Sequence, residues 1–162
     1  MAFPSYPPGK IILLDEIENN TKHWFGEYLR IAGKLIYHNT TKNIAVIEQN
    51  IKCTSNKEKQ REGHLHEKFK IKNCFLIVDT KLVEDEPYKE CKIAEFLGLL
   101  INDNDSVSKF HQLPQKIQDM ITVDIQRTSF PLLEARIFRN VDFMDMDLYQ
   151  DVINMRNKYE QE

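Results

Sequence analysis

No apolar run in these 162 residues approaches the roughly 20 that a membrane-crossing helix needs. The opening stretch, MAFPSYPPGK, lacks the charged block and apolar core of a secretion signal, so the expected setting is inside the cell. Cysteine is scarce. Cys53, Cys74 and Cys91 are odd in number and widely spaced, which excludes a dense disulfide framework and reads as reduced thiols. The sequence also lacks a GxSxG elbow, a P-loop, a GxGxxG fingerprint and an HExxH pair. These absences lower the expectation of catalysis, and no cofactor or metal is expected. Cys53, His64, His66 and Cys74 are zinc-binding types, but they do not form the close pairs of a structural site, so the histidines read as solvated and Cys74 as core. Glu84, Asp85 and Glu86 lack the spacing and the glycine of a calcium loop and read as a charged turn.

What is present is a soluble composition, 41% hydrophobic and 29% charged, at a length suited to one domain. The formal charge of −3 is unevenly spread. Residues 1–81 hold 13 Lys/Arg against 9 Asp/Glu, while 82–162 hold 9 against 16. A basic first half suits a polyanion partner, and an acidic end argues against nucleic acid there; two ordinary solvated faces explain the same numbers.

Alternating apolar positions predict strands over Tyr28–Tyr37, Ile44–Glu48, Cys74–Val83, Lys92–Ile101 and Ile121–Arg127. Gly33 and Gly98 fall inside two of them, where glycine marks the bends that close a small barrel. The polar stretches 53–68 and 103–118 read as loop insertions. Ser129 and Pro131 suit a helix start, and Phe130, Leu133, Ile137 and Phe138 follow at helical spacing. Met144, Leu148, Val152, Met155 and Tyr159 then recur every three or four residues, one stripe of a helix of about four turns. The expected fold is mainly β, a five-stranded OB-fold Greek-key barrel over residues 1–139 with a C-terminal α-helix over 140–162 in the same domain.

Two surfaces are candidates for function. The helix stripe fits either the protein's own core or a partner helix, and its methionines suit an adaptable protein surface. Arg30 and Lys34 share the outer face of the first long strand, Lys42 sits in the next turn, and Tyr37 or Phe75 could stack on a base. With the basic loop Lys57–Lys72, these give the alternative of an independent module for single-stranded DNA.

Five segments occur in order: PGKIILLDEI at Pro8–Ile17, LRIAGKLIYH at Leu29–His38, VDTKLVE at Val78–Glu84, IAEFLGLL at Ile93–Leu100 and FPLLEARI at Phe130–Ile137. Together they resemble the Ten subunit of the telomeric CST (Ctc, Stn, Ten) complex, in its ciliate, telomerase-holoenzyme version. The family is similar in turn to the smallest subunit of replication protein A. The resemblance implies a non-catalytic OB-fold subunit, nuclear and telomeric, that heterodimerises with a Stn-like subunit beside a Ctc-like large subunit. It also implies a part in telomerase regulation and C-strand synthesis, with single-stranded telomeric DNA as a possible ligand. On that reading the stripe turns from core to partner interface, made by Met144, Leu148, Tyr149, Val152, Met155, Arg156 and Tyr159. The chain departs from the family in its two polar insertions and its longer tail, and in having only about eight residues, Glu84–Cys91, where the family often places a helix.

Overall fold

The computed structural model of the protein describes residues 8–54, 69–83, 90–102, 104–121 and 130–160. A short strand β1 (Lys10–Ile11) leads into helices α1 (Leu14–Asn19) and α2 (Thr21–Trp24). Strands β2 (Tyr28–Asn39), β3 (Ile44–Thr54), β4 (Phe69–Asp79) and β5 (Ile93–Ile101) follow. Helices α3 (Asn104–His111) and α4 (Gln115–Ile121), strand β6 (Leu132–Asn140) and helix α5 (Met146–Glu160) complete the order. No helix is long and apolar enough among the described residues to cross a membrane.

The sheet runs β1-β2-β3-β4-β6-β5, and a further β2–β5 pairing closes β2, β3, β4, β6 and β5 into a ring. Four of its five contacts are antiparallel and β4–β6 is parallel. This is an OB-fold-like barrel, with β1 added alongside β2. Strand β2 serves two neighbours in turn: Tyr28–Lys34 pairs with β5, and Lys34–Asn39 pairs with β3. Gly33 sits at that transfer, where a side chain would press on the Glu48 carbonyl. At Gly98 the β5–β6 register shifts, and a Cβ would lie 2.3 Å from the Glu134 carbonyl oxygen, so only glycine fits.

Alternation fills the barrel with Leu29, Ile31, Ala45, Ile47, Leu76, Val78, Phe96 and Leu133, all buried. Ile12, Leu13, Leu14 and Ile17 plug one end. The same end holds a buried polar clasp. Gln49 Oε1 accepts the Leu14 N–H and its Nε2 donates to the Ala32 carbonyl, both at 2.7 Å. The clasp satisfies the first N–H of α1 and a carbonyl of β2 two residues before that strand changes partner.

The fifth ring strand is not where alternation predicts it. Ile121 ends α4, and the remainder of Ile121–Arg127 lies outside the described residues. The helical spacing of Phe130 to Phe138 is also misleading, because Leu132–Asn140 is strand β6. Leu133 points into the barrel while Leu132 packs on a second cluster outside it, so both faces of this strand are apolar and the two-residue period is lost. The polar stretch read as a loop near 103–118 instead holds α3 and α4. Residues 55–68 and Glu84, Asp85 and Glu86 lie outside the described residues, so His64 and His66 do too.

Candidate functional site

Two helical additions lie against the outside of the barrel. The first, α3–α4, covers the outward residues of β3, β4 and β6. Ile44, Val46, Ile77 and Leu132 are sealed beneath Phe110 and Leu113, with Ile117, Ile121 and Phe130 at the margin. Phe110 stacks on Phe130 with ring centroids 4.5 Å apart. Strands 2 and 3 of an OB barrel, here β3 and β4, carry its usual oligonucleotide face. Here part of that face is filled from within the chain.

Helix α5 is the second addition. Asp145 caps it by accepting the N–H groups of Asp147 and Leu148 at 3.0 and 3.2 Å. The corner before it is fixed by Asp142, whose Oδ1 accepts from the Lys92 and Ile93 N–H groups at 2.8 and 2.7 Å. The Ile93 hydrogen bond is the main reason its pKa falls below the usual carboxylate value.

The inner side of α5 is held by polar groups. Gln150 Nε2 donates to the Asn50 carbonyl at 2.8 Å, Asn157 Nδ2 to Glu16 Oε1 at 3.0 Å, and Arg156 Nη2 to the Ile11 carbonyl. Ile153 joins the barrel core, and half-buried Tyr149 packs beside it. Burial pushes the Tyr149 phenol up to about 12, with the Ala32 backbone and the charges of Glu95, Arg156 and Arg30 nearby.

The outer side is apolar. Leu148, Val152, Met155 and Tyr159 are 61%, 56%, 57% and 67% exposed, and Phe143 in the preceding turn is 87% exposed. Met144 is half-buried. The usual amphipathic arrangement is therefore inverted, with hydrogen bonds inward and hydrocarbon outward. Of the stripe and flanking residues expected from the sequence, Leu148, Val152, Met155 and Tyr159 share one exposed face, whereas Tyr149 and Arg156 turn inward and anchor the helix. Phe143 was missed because it stands five residues before Leu148, off the three- and four-residue spacing; its only signal was an aromatic residue in an acidic turn.

The four residues proposed for nucleic acid do not form one surface. Lys34 is exposed and Arg30 half-buried, but Ala32 between them is fully buried. Tyr37 packs at the edge of the α3–α4 cluster, and Lys42 Nζ donates to the Gln112 carbonyl at 3.2 Å. Lys109 Nζ returns a bond to the Lys42 carbonyl at 3.3 Å. Phe75, half-buried, lines a crevice with Ile121 and Phe130.

No group of metal-binding side chains occurs among the described residues. Burial raises the Cys74 thiol to about 12 and the Cys91 thiol to about 11, which leaves both protonated and poor as ligands or nucleophiles at neutral pH.

Residues 5–162 match the model of a protein family described as a telomere-capping, CST complex subunit. No curated protein matches the chain.

Proposed function

The chain belongs to the telomere-capping CST subunit family, the Ten subunits, and from this we propose that it is a non-catalytic assembly subunit that docks a Stn-like partner on the outer face of α5. The observation that carries the reading is the inversion of that helix: its hydrogen-bonding side chains hold the barrel, and Leu148, Val152, Met155 and Tyr159 are left in water. Phe143 and Met144 extend this surface at its N-terminal end. Burying four large apolar side chains supplies about 1.5–3 kcal/mol each before association costs.

In this reading the heterodimer joins a Ctc-like subunit and the telomerase holoenzyme at nuclear telomeres, and the assembly supports telomerase regulation and C-strand synthesis. Direct DNA binding is disfavoured. Lys42 and Tyr37 are engaged by α3–α4, and Ala32 between Arg30 and Lys34 is buried.

The test is coexpression of the full chain with the Stn-like subunit. Changing Leu148 and Val152 together to Asp should abolish copurification while circular dichroism of the chain stays unchanged. Intact pairing in that double variant would refute the reading. A titration with G-rich telomeric single strands at low and high salt checks the DNA arm, where weak or absent binding is expected.

A further inference from the structure

The exposed face of α5 is complementary to itself when reversed. At 100° per residue, Asp147, Asp151 and Lys158 fall along one flank of the Leu148–Val152–Met155–Tyr159 stripe. All three are exposed; Asp147 Oδ1 lies 3.9 Å from Lys52 Nζ, and among the described residues neither Asp151 nor Lys158 is in an ion pair. A two-fold axis crossing the stripe midway between Val152 and Met155 reverses the helix but keeps that flank beside its own copy. Leu148 then comes level with Tyr159 of a second copy, and Val152 with Met155. Lys158 comes level with position 149 of the second copy, two residues or about 3 Å along the axis from both Asp147 and Asp151. A parallel pair in register would instead put the flank and its copy on opposite sides of the seam, where Lys158 meets neither Asp147 nor Asp151 of the second copy.

We propose that the free chain self-associates through α5 in antiparallel pairs, and that this pairing holds the apolar stripe until the heterologous partner displaces it. The displacement rests on the docking role given to α5 above; the self-pairing does not. Eight side chains at about 100 Å² each give roughly 800 Å², below the 1,200–2,000 Å² of stable complexes, so the pair is weak and reversible. That weakness suits a reserve state, since a partner offering more surface wins the stripe by mass action.

Sedimentation equilibrium of the full chain, from micromolar to about 1 mM, tests the proposal. The wild type should pass from monomer to dimer as concentration rises, and Leu148→Asp should remain monomeric. Lys158→Asp and Asp151→Lys should each raise the dimer Kd roughly tenfold, since each reversal acts twice per dimer, and the two combined should return it to within about threefold of wild type. A wild type that is monomeric throughout overturns the proposal, as do single reversals without effect or a combined variant that stays weak. Loss of the Stn-like partner in the Leu148/Val152 variant, with a monomeric wild type, would leave the docking role standing and remove only the self-pairing.

Discussion

The two helical covers of this barrel use opposite surfaces to attach. The α3–α4 pair attaches through its hydrocarbon: Phe110 and Leu113 seal Ile44, Val46 and Ile77, and the outer positions Gln112, Gln115, Lys116 and Asp119 are polar. Helix α5 attaches through Gln150, Arg156, Asn157 and the single buried apolar side chain Ile153. A cover needed only to shield its own sheet is most cheaply built the first way, because apolar burial stabilises without demanding hydrogen-bond geometry. The second way leaves the hydrocarbon available, which is useful only if something else is to meet it.

The largest expected effect lies in the first cover. Phe110→Ala should cost about 3–5 kcal/mol in urea unfolding, because it empties a packed site and removes the stacking on Phe130. Ile153→Ala on the inner side of α5 should cost about 2–3 kcal/mol, near the low end for such truncations because only one buried apolar side chain is lost from the helix. If it cost as much as Phe110→Ala, α5 would be part of the core proper and the contrast would weaken. Gln150→Ala should cost about 1 kcal/mol by orphaning the Asn50 carbonyl. Val152→Ala, one residue away from Ile153, should change the stability of the free chain by less than about 0.5 kcal/mol yet weaken capture of the Stn-like subunit.

The smallest effect is one of pH. Asp142 has a lowered carboxyl pKa in the folded chain, so its contribution to stability is present above the ordinary value of 3.8 and is lost as pH falls through the lower folded value. Asp142→Ala should therefore loosen the β6–α5 corner at pH 7 and converge with wild type in acid, as amide exchange of the Lys92 and Ile93 N–H groups would show. Asp15 runs the other way. Burial raises its pKa, so its ionised form costs stability that is absent below about 3.8 and grows as pH rises. Asp15→Asn should then gain in melting temperature at pH 7, with the gain shrinking towards pH 4.

Strands β2 and β5 and the apolar parts of β3 and β4 were legible because each presents an alternating or continuous apolar face to the barrel, as in Leu29, Ile31 and Gly33 of β2; the polar ends Gln49–Thr54 and Phe69–Asn73 were not, and β4 stops at Asp79 rather than Val83. Strand β6 was not, because the α3–α4 cover buries its outer side too and Leu132 and Leu133 are buried in succession. That cover was itself disguised. Val107, Phe110, Leu113, Ile117 and Ile121 recur at three- and four-residue steps, but they are thinly set among polar residues. The outer stripe of α5 could be read from spacing. Its attachment could not, because Gln150, Arg156 and Asn157 have the composition of a solvated face until Asn50, Ile11 and Glu16 are brought opposite them.

The clasp at Gln49 sets a narrow rule for that position. One neighbour presents an N–H and the other a carbonyl, so the side chain between them must offer both an acceptor and a donor while staying neutral. Glutamate would bring a charge against the Ala32 carbonyl, leucine would match the volume and answer neither group, and asparagine is one methylene short of reaching both. Position 49 is thus a lock with a single key, and it ties the segment entering α1 to the strand pair that begins the barrel. A chain trimmed past Leu14 would lose half of that lock.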